Sequence, residues 1–236
     1  MSTQLYKPFV TEFESRDQFL NLSTNVIESI ILENQTNLGI ARVALAGGKT
    51  PLPIYSKLSR SGAIDWANLE VFITDERNVS NTDEKSNSYQ IKKSLGQEVI
   101  ENLYEFHEFR TDLLKDECLR DYQVKLDSLD DIWFELCVLG IGSDGHIASL
   151  FADTPYLRHQ ENGAIATLAP REYEIPARYS LTIESILNSR EIVVLLEGHN
   201  KMQVLTELLE GKLLASQYPA KFLLSHPKVH IYTCFE

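Results

Sequence analysis

The sequence predicts an α/β protein built on a mostly parallel sheet. Three observations carry that expectation. Strand-like and helix-like runs alternate along the chain. Several strand-like runs are unbroken Val, Ile and Leu rather than alternating, as in strands covered on both faces. The runs end in glycine-bearing loops, and in parallel α/β sheets the loops after strand C-termini are where ligands sit. With 236 residues and no low-complexity segment, charge block or internal repeat, residues 1–236 read as one domain.

Each element has its own signal. RDQFLNLSTNVIESIILENQ carries apolar residues at helical spacing. IARVALA is a β-rich run that stops at Gly47-Gly48. TPLPIYSKL reads as a helix with Thr50 as N-cap and Pro51 at its first position. LEVFIT is a strand, SNSYQIKKSLG a helix followed by Gly96, and LLKDECLRDYQVKLDSL a helix. FELCVLG is a strand, AIATLA and ARYSLT are short extended runs, and EIVVLLEG is a strand. NKMQVLTELLEG is a helix ended by Gly211, and KVHIYTCF is the last strand.

Composition narrows the function. The net charge is −12, from 22 basic and 34 acidic residues, so nucleic acid and anionic membranes are poor partners. An anionic substrate needs a local cluster of Lys and Arg against that field. Cys118, Cys137 and Cys234 are odd in number and far apart, with no Cys-x-x-Cys, so no disulfide framework or zinc site is expected. Cys137 reads as a small core residue. MSTQLYKPFVTEF has no signal-peptide character, and no apolar run approaches a membrane span. A reducing, cytoplasmic setting follows.

Four loops could carry chemistry. In ALAGGKTPLP a glycine pair stands between a strand and a Pro-started helix, where backbone N–H groups can face an anion. Lys49 adds a full charge; alone, the loop reads equally as a tight βα turn with an exposed Lys. A Walker A loop fails, because it needs Gly where Val43 stands. In FITDERNVS, Asp75, Glu76 and Arg77 follow a strand directly. Three charges there predict a solvated turn or a local ion pair, unless Arg77 serves as a fixed donor to an anion or oxyanion.

The third loop is GIGSDGHIASLFADTP. GIGSDG fits G-x-G-x-x-G, but Pro155 leaves room for about two helical turns, too few for a dinucleotide fold. What remains is His146 beside Asp144 on a loop that can approach a ligand closely. The bland reading is a capping His and a turn-holding Asp; the functional one is a base whose tautomer the carboxylate fixes. The fourth loop, LLEGHNKMQVL, places Lys201 where it could reach a phosphate or simply face solvent. His107, His159, His226 and His230 have no helpful sequence neighbours and read as surface or structural. The six histidines show no metal-ligand spacing, and no metal is expected.

Together these segments resemble a known family. ALAGGKTP, DER followed by Ser86-Asn87, GIGSDGHIASLF-x-x-TP, RYSLT and EGHNK resemble, in order, the signatures of the 6-phosphogluconolactonases, from about residue 40 to about residue 205. The resemblance implies a Rossmann-like three-layer α/β/α sandwich. It also implies cofactor-free hydrolysis of 6-phosphoglucono-δ-lactone in the pentose phosphate pathway. The glucosamine-6-phosphate deaminases share the Gly-Gly, Asp-Glu and Asp-Gly-His loops, and GHNK is their spelling. They continue after the histidine as Ile-Ala-Phe-Asn-Glu-Pro, however, with a supporting carboxylate, where this chain reads IASLFADTP. DER rather than Asp-Glu-Tyr also points to the lactonases. Two departures stand out: Lys49 replaces the Ser of Gly-Gly-Ser-Thr, and the chain ends HIYTCFE without the Asp many relatives carry there.

The expected roles follow. His146 is the general base, Asp144 orients it, and Arg77 stabilises the oxyanion. Gly47, Gly48, Lys49, Thr50, Asp75, Arg178 and Lys201 contact the sugar phosphate. No G-x-S-x-G elbow is present, which argues against a Ser-His-Asp esterase. Two alternatives remain: a glucosamine-6-phosphate deaminase or isomerase, and a non-catalytic sugar-phosphate sensor. No cofactor and no obligate protein partner are expected.

Overall fold

A computed structural model describes residues 4–129, 131–158 and 161–236. His159 therefore lies outside the described residues. The central sheet has seven strands: β1 (Phe9–Glu12), β2 (Ala41–Leu45), β3 (Leu69–Ile73), β5 (Glu105–His107), β6 (Phe134–Leu139), β9 (Ser189–Glu197) and β10 (Val229–Cys234). Their order is β1-β10-β9-β6-β2-β3-β5, and every neighbouring pair is parallel. Every residue of β3 and β6 is buried, so both faces of the sheet are covered, as unbroken apolar runs require. The expected mostly parallel α/β architecture is the observed one.

Strand order decides where a site can form. The chain runs outward from β2 through β3 to β5, then crosses back to lay β6 on the other side of β2. The loops after β2 and β6 thus diverge at a switch point, which opens a crevice at the strand C-termini.

The helices follow their sequence signals. α1 (Arg16–Leu38) has Ser15 as N-cap and left-handed Gly39 at its end. α2 (Pro51–Leu58) starts at proline, but Thr50 is itself in helical conformation and its hydroxyl makes no cap hydrogen bond, contrary to the capping expectation. α3 (Asn87–Leu95) is capped by Ser86 and closed by Gly96, which also opens the short α4 (Gln97–Asn102). α5 (Lys115–Asp127), α6 (Ile183–Leu187) and α7 (Lys201–Glu210) complete the set among the described residues.

Two strands and one sheet went unread in the sequence, although the extended runs AIATLA and ARYSLT mark two of that sheet's strands. β1 and β5 are short edge strands without a continuous apolar run, and all four residues of β1 are exposed. A second, three-stranded antiparallel sheet is built from β4 (Asp75–Arg77), β8 (Ala177–Leu181) and β7 (Ala164–Leu168), in the order β4-β8-β7. The DER segment is therefore not a solvated turn. Asp75 and Glu76 are buried, because their backbone pairs with β8.

Pairing of β3 with β5 also brings His107 to Glu70, 37 residues away, beside the Glu105 of its own strand. Its Nε2 lies 2.7 Å from Glu70 Oε1 and its Nδ1 3.5 Å from Glu105 Oε1, while Arg42 Nε is 3.2 Å from the other Glu70 oxygen. Two carboxylates are matched by Arg42 and a histidine at the end of the sheet away from the crevice. His226 is buried with its ring bonded to Ser189 O at 2.8 Å, and His230 stacks on Phe9. None of these three histidines lines the crevice described below.

Candidate active site

The crevice at the switch point is a cavity of about 240 Å³. The loop after β2 supplies Gly47, Gly48, Lys49 and Thr50; β4 supplies Asp75 and Arg77; the loop after β6 supplies Gly142 and His146; β8 supplies Arg178 and α7 supplies Lys201. Nine of the ten residues singled out in the sequence line it, and the tenth, Asp144, holds His146 from behind.

The histidine and aspartate form a dyad. His146 Nδ1 lies 2.5 Å from Asp144 Oδ1, and the His146 backbone N–H donates to the same oxygen at 3.3 Å. This fixes Nδ1 as the protonated nitrogen and leaves Nε2, without a partner among the described residues, as the acceptor. Partial burial works to raise the Asp144 carboxyl, but the bonded imidazole outweighs it and holds Asp144 below the usual carboxylate range. Phe151 backs the imidazole at 4.6 Å between ring centroids.

Two glycines make this loop possible for steric reasons. A Cβ on Gly142 would lie 2.0 Å from His146 Nδ1 and 2.6 Å from Asp144 Oδ1. Gly145 has φ +82° and packs its Cα against the Tyr218 ring, 2.3 Å from where a Cβ would stand. Their spacing imitates the dinucleotide fingerprint, yet no α-helix follows; turns lead into a short 3-10 helix at Pro155–Arg158. Ala148, on the cavity wall, takes φ 48°, a strained conformation of the kind that collects at sites.

The cations gather from four separate elements. Lys49 is exposed at the rim. Arg77 and Arg178 are direct cross-strand partners, although like charges in that position repel. Arg178 is pushed below the usual guanidinium range by burial first and by Arg77 second. Burial likewise lowers Lys201, whose Nζ donates to Ile141 O at 2.5 Å; the charge of Asp144 works the other way. Four cations, two of them with their charge disfavoured by burial, thus line one crevice in a chain of net charge −12, an arrangement suited to an anionic ligand.

Sequence reasoning did not place four further residues in the site. Glu76 accepts from the backbone N–H groups of Arg77, Asn87 and Ser88 and from the hydroxyls of Ser86 and Ser88, at 2.6–2.9 Å. It thereby sits at the N-terminus of α3 and anchors β4, with Arg77, to that helix. Asn87 donates to Asp75 O at 2.8 Å and fills the space where a Gly47 side chain would be. Ser149 donates to Asp75 Oδ2 at 2.7 Å. Tyr173 reaches the dyad from the β7–β8 hairpin. Glu76, Asn87 and Ser149 each lie within a segment of the family resemblance, though none was given a role there; Tyr173 had no signal.

Comparison with known proteins now adds to this geometry. A family model described as "Glucosamine-6-phosphate isomerases/6-phosphogluconolactonase" matches residues 14–231. The chain belongs to that family.

Two relatives within it are lactonases by name. The chain is 31% identical to a 6-phosphogluconolactonase of Thermotoga maritima, over 75% of this chain and 78% of that protein. It is 28% identical to a probable 6-phosphogluconolactonase of Dictyostelium discoideum, over 92% and 94%. Among solved structures, a 6-phosphogluconolactonase from Shewanella baltica superposes with a TM-score of 0.88 at 24% identity, covering 98% of this chain and 99% of that one, which extends the likeness to the fold. The family agrees with the resemblance carried by the Gly-Gly, Asp-Glu-Arg and Asp-Gly-His loops.

Proposed function

We propose that the protein is a lactone hydrolase that opens 6-phosphoglucono-δ-lactone to 6-phosphogluconate, a step of the pentose phosphate pathway. One observation carries the reading: a His–Asp dyad with its Nε2 turned to the cavity faces four cations in a crevice sized for a small molecule. The named relatives support the same chemistry.

In this reading Nε2 of His146 takes a proton from water as the water oxygen bonds to the lactone carbonyl carbon. The resulting oxyanion is met by Arg77. When the bond from that carbon to the ring oxygen breaks, the imidazolium returns the proton to the ring oxygen, so the enzyme ends unchanged. Asp144 holds the tautomer and steadies the imidazolium. The phosphate is held by Lys49, Lys201 and Arg178 with the N–H groups of Gly47 and Gly48, while Thr50 and Asp75 complete the wall. Pro51 and Pro53 lack N–H groups, so the first turn of α2 offers few donors of its own and the glycine loop and Lys49 carry more of the grip. A reducing, cytoplasmic setting belongs to the same reading, supported by three free, buried cysteines.

Deamination of glucosamine 6-phosphate fits less well. It asks Asp75 to shuttle a proton, yet Asp75 is buried and accepts from Ser149 and Thr74, one on each carboxylate oxygen. Arg77 and Arg178 would also face a protonated substrate amine. The deciding experiment gives both substrates to one purified sample, with the lactone rate corrected for spontaneous opening. The expected result is lactone hydrolysis well above background and no ammonia. Ammonia release without hydrolysis overturns the reading in favour of a deaminase; binding of 6-phosphogluconate without turnover of either substrate overturns it in favour of a sensor.

A further inference from the structure

The β7–β8 hairpin tip, residues 169–176, lies against the active-site crevice. Its neck is closed by Ala169 N–H donating to Pro176 O at 2.8 Å, and its turn by Tyr173 N–H donating to Pro170 O at 3.1 Å. Arg178 Nε donates to Ile175 O at 2.6 Å and holds the tip to β8. Arg171, Glu172 and Glu174 stay exposed, and Tyr173 alone among the tip's central residues turns its ring into the cavity. That ring meets Phe151 edge-on at 5.2 Å and His146 edge-on at 5.8 Å, and the Arg178 guanidinium lies over it at 5.8 Å. Its hydroxyl lies 3.4 Å from Asp144 Oδ2 and 3.3 Å from His146 Nδ1.

We infer that Tyr173 is a positioning residue that completes the dyad into a triad, its hydroxyl donating to the Asp144 oxygen that His146 does not use. The geometry divides the carboxylate cleanly: Oδ1 takes the imidazole N–H and Oδ2 takes the phenol. Burial first, then Asp144, push the phenol up to about 12, so it stays protonated and can only act as a donor toward the carboxylate. Both contacts lie at the long end of the hydrogen-bond range. The ring, meanwhile, joins the two ends of the crevice, because the same side chain touches Arg178 at the anion end and the dyad at the reacting end. The charged groups around the dyad are Arg178 on β8, Lys201 on α7 and Glu172 on the tip itself.

A phenol donating to Asp144 weakens the carboxylate as an acceptor for the imidazole. Removing it leaves the Asp144 carboxylate unanchored, which lowers kcat, and returns its full charge to the imidazole, which makes the protonated ring harder to deprotonate, so two readouts move that a mere wall would leave alone. In Tyr173→Phe, which keeps the ring, kcat falls roughly 3–10-fold, the worth of one hydrogen bond, with KM within about twofold of wild type. The acid limb of kcat moves to higher pH, and so does the NMR titration of the His146 ring, assigned with His146→Gln. Tyr173→Ala also raises KM, because the ring over Arg178 is lost. Glu174→Gln, which breaks only an exposed pair with Lys85, stays within about twofold on all counts. An unchanged acid limb and ring titration in Tyr173→Phe would overturn the inference. The kinetic arm rests on the lactonase reading; if wild type fails to hydrolyse the lactone, that reading falls, and the ring titration still decides the role of Tyr173.

Discussion

Gly142 controls the dyad by having no side chain. The space a Cβ would take is occupied by His146 Nδ1, Cε1 and Asp144 Oδ1. Gly142→Ala must therefore displace the imidazole, and kcat is expected to fall about 10²-fold, as ångström-scale misplacement does elsewhere, with the fold retained by circular dichroism. His146→Asn removes the base itself. Its kcat should fall by ~10²–10⁴ while the affinity for 6-phosphogluconate, read by calorimetry, stays near wild type. In the wild-type enzyme the rate should decline toward acid pH as imidazole protonation removes the free Nε2 lone pair. Wild-type kcat in His146→Asn would remove this assignment.

The β4 strand shows what an element can do that a residue cannot. Three residues long, it is held at one side by β8 and at the other by the N-terminus of α3 through Glu76. Burial raises the Glu76 carboxyl, although hydrogen bonds from Ser88, Asn87 and Arg77 act the other way. The folded state then holds that proton more tightly than the unfolded chain. Its stabilising contribution is complete below the unfolded carboxylate range and is lost as pH rises through the raised folded value. Glu76→Gln puts an amide N–H₂ against backbone N–H donors. A loss of about 1–3 kcal/mol in urea unfolding is expected, with the pH dependence in that window flattened. Lys49 and Lys201 line the crevice from two other elements, and in the proposed reading both grip the phosphate. Either Lys→Ala change should mainly raise KM, since a phosphate remote from the reacting carbon is gripped equally in ground and transition states. Equal hydrolysis of unphosphorylated gluconolactone would count against the phosphate site.

At the scale of the whole molecule, the cation cluster opposes the overall charge. Arg77 and Arg178 face one another in register while the chain carries −12, so an anion between them relieves a local repulsion. Inorganic phosphate should therefore raise the Tm of the wild-type protein in a concentration-dependent way, and raise it less in Arg178→Ala. An equal rise in both would assign the effect to general salt action. A single hydrophobic core runs from α1 through the central sheet to β8. Residues 1–236 are accordingly expected to unfold in one calorimetric transition whose van't Hoff and calorimetric enthalpies agree.

By itself the sequence determined the layers and the loops. Unbroken runs such as FELCVLG could be buried only in a sheet covered on both faces, and glycine, proline and histidine at their ends marked where chemistry could sit. It also named all ten residues of the candidate site, most of them because charged groups and glycines just after apolar strands are visible in one dimension, and Arg178 through the RYSLT segment of the family resemblance. Tertiary structure decided the rest. Long-range pairing folded Asp75 and Glu76 into a second sheet that local charge had argued against, and set Arg77 opposite Arg178, a contact spanning about a hundred residues. Strand pairing at the edge gave His107 the Glu70 carboxylate. The hairpin tip delivered Tyr173 to His146 from 27 residues away. In each case the partner is distant in sequence, so no local pattern could carry the signal; only the order of the strands brings the groups together.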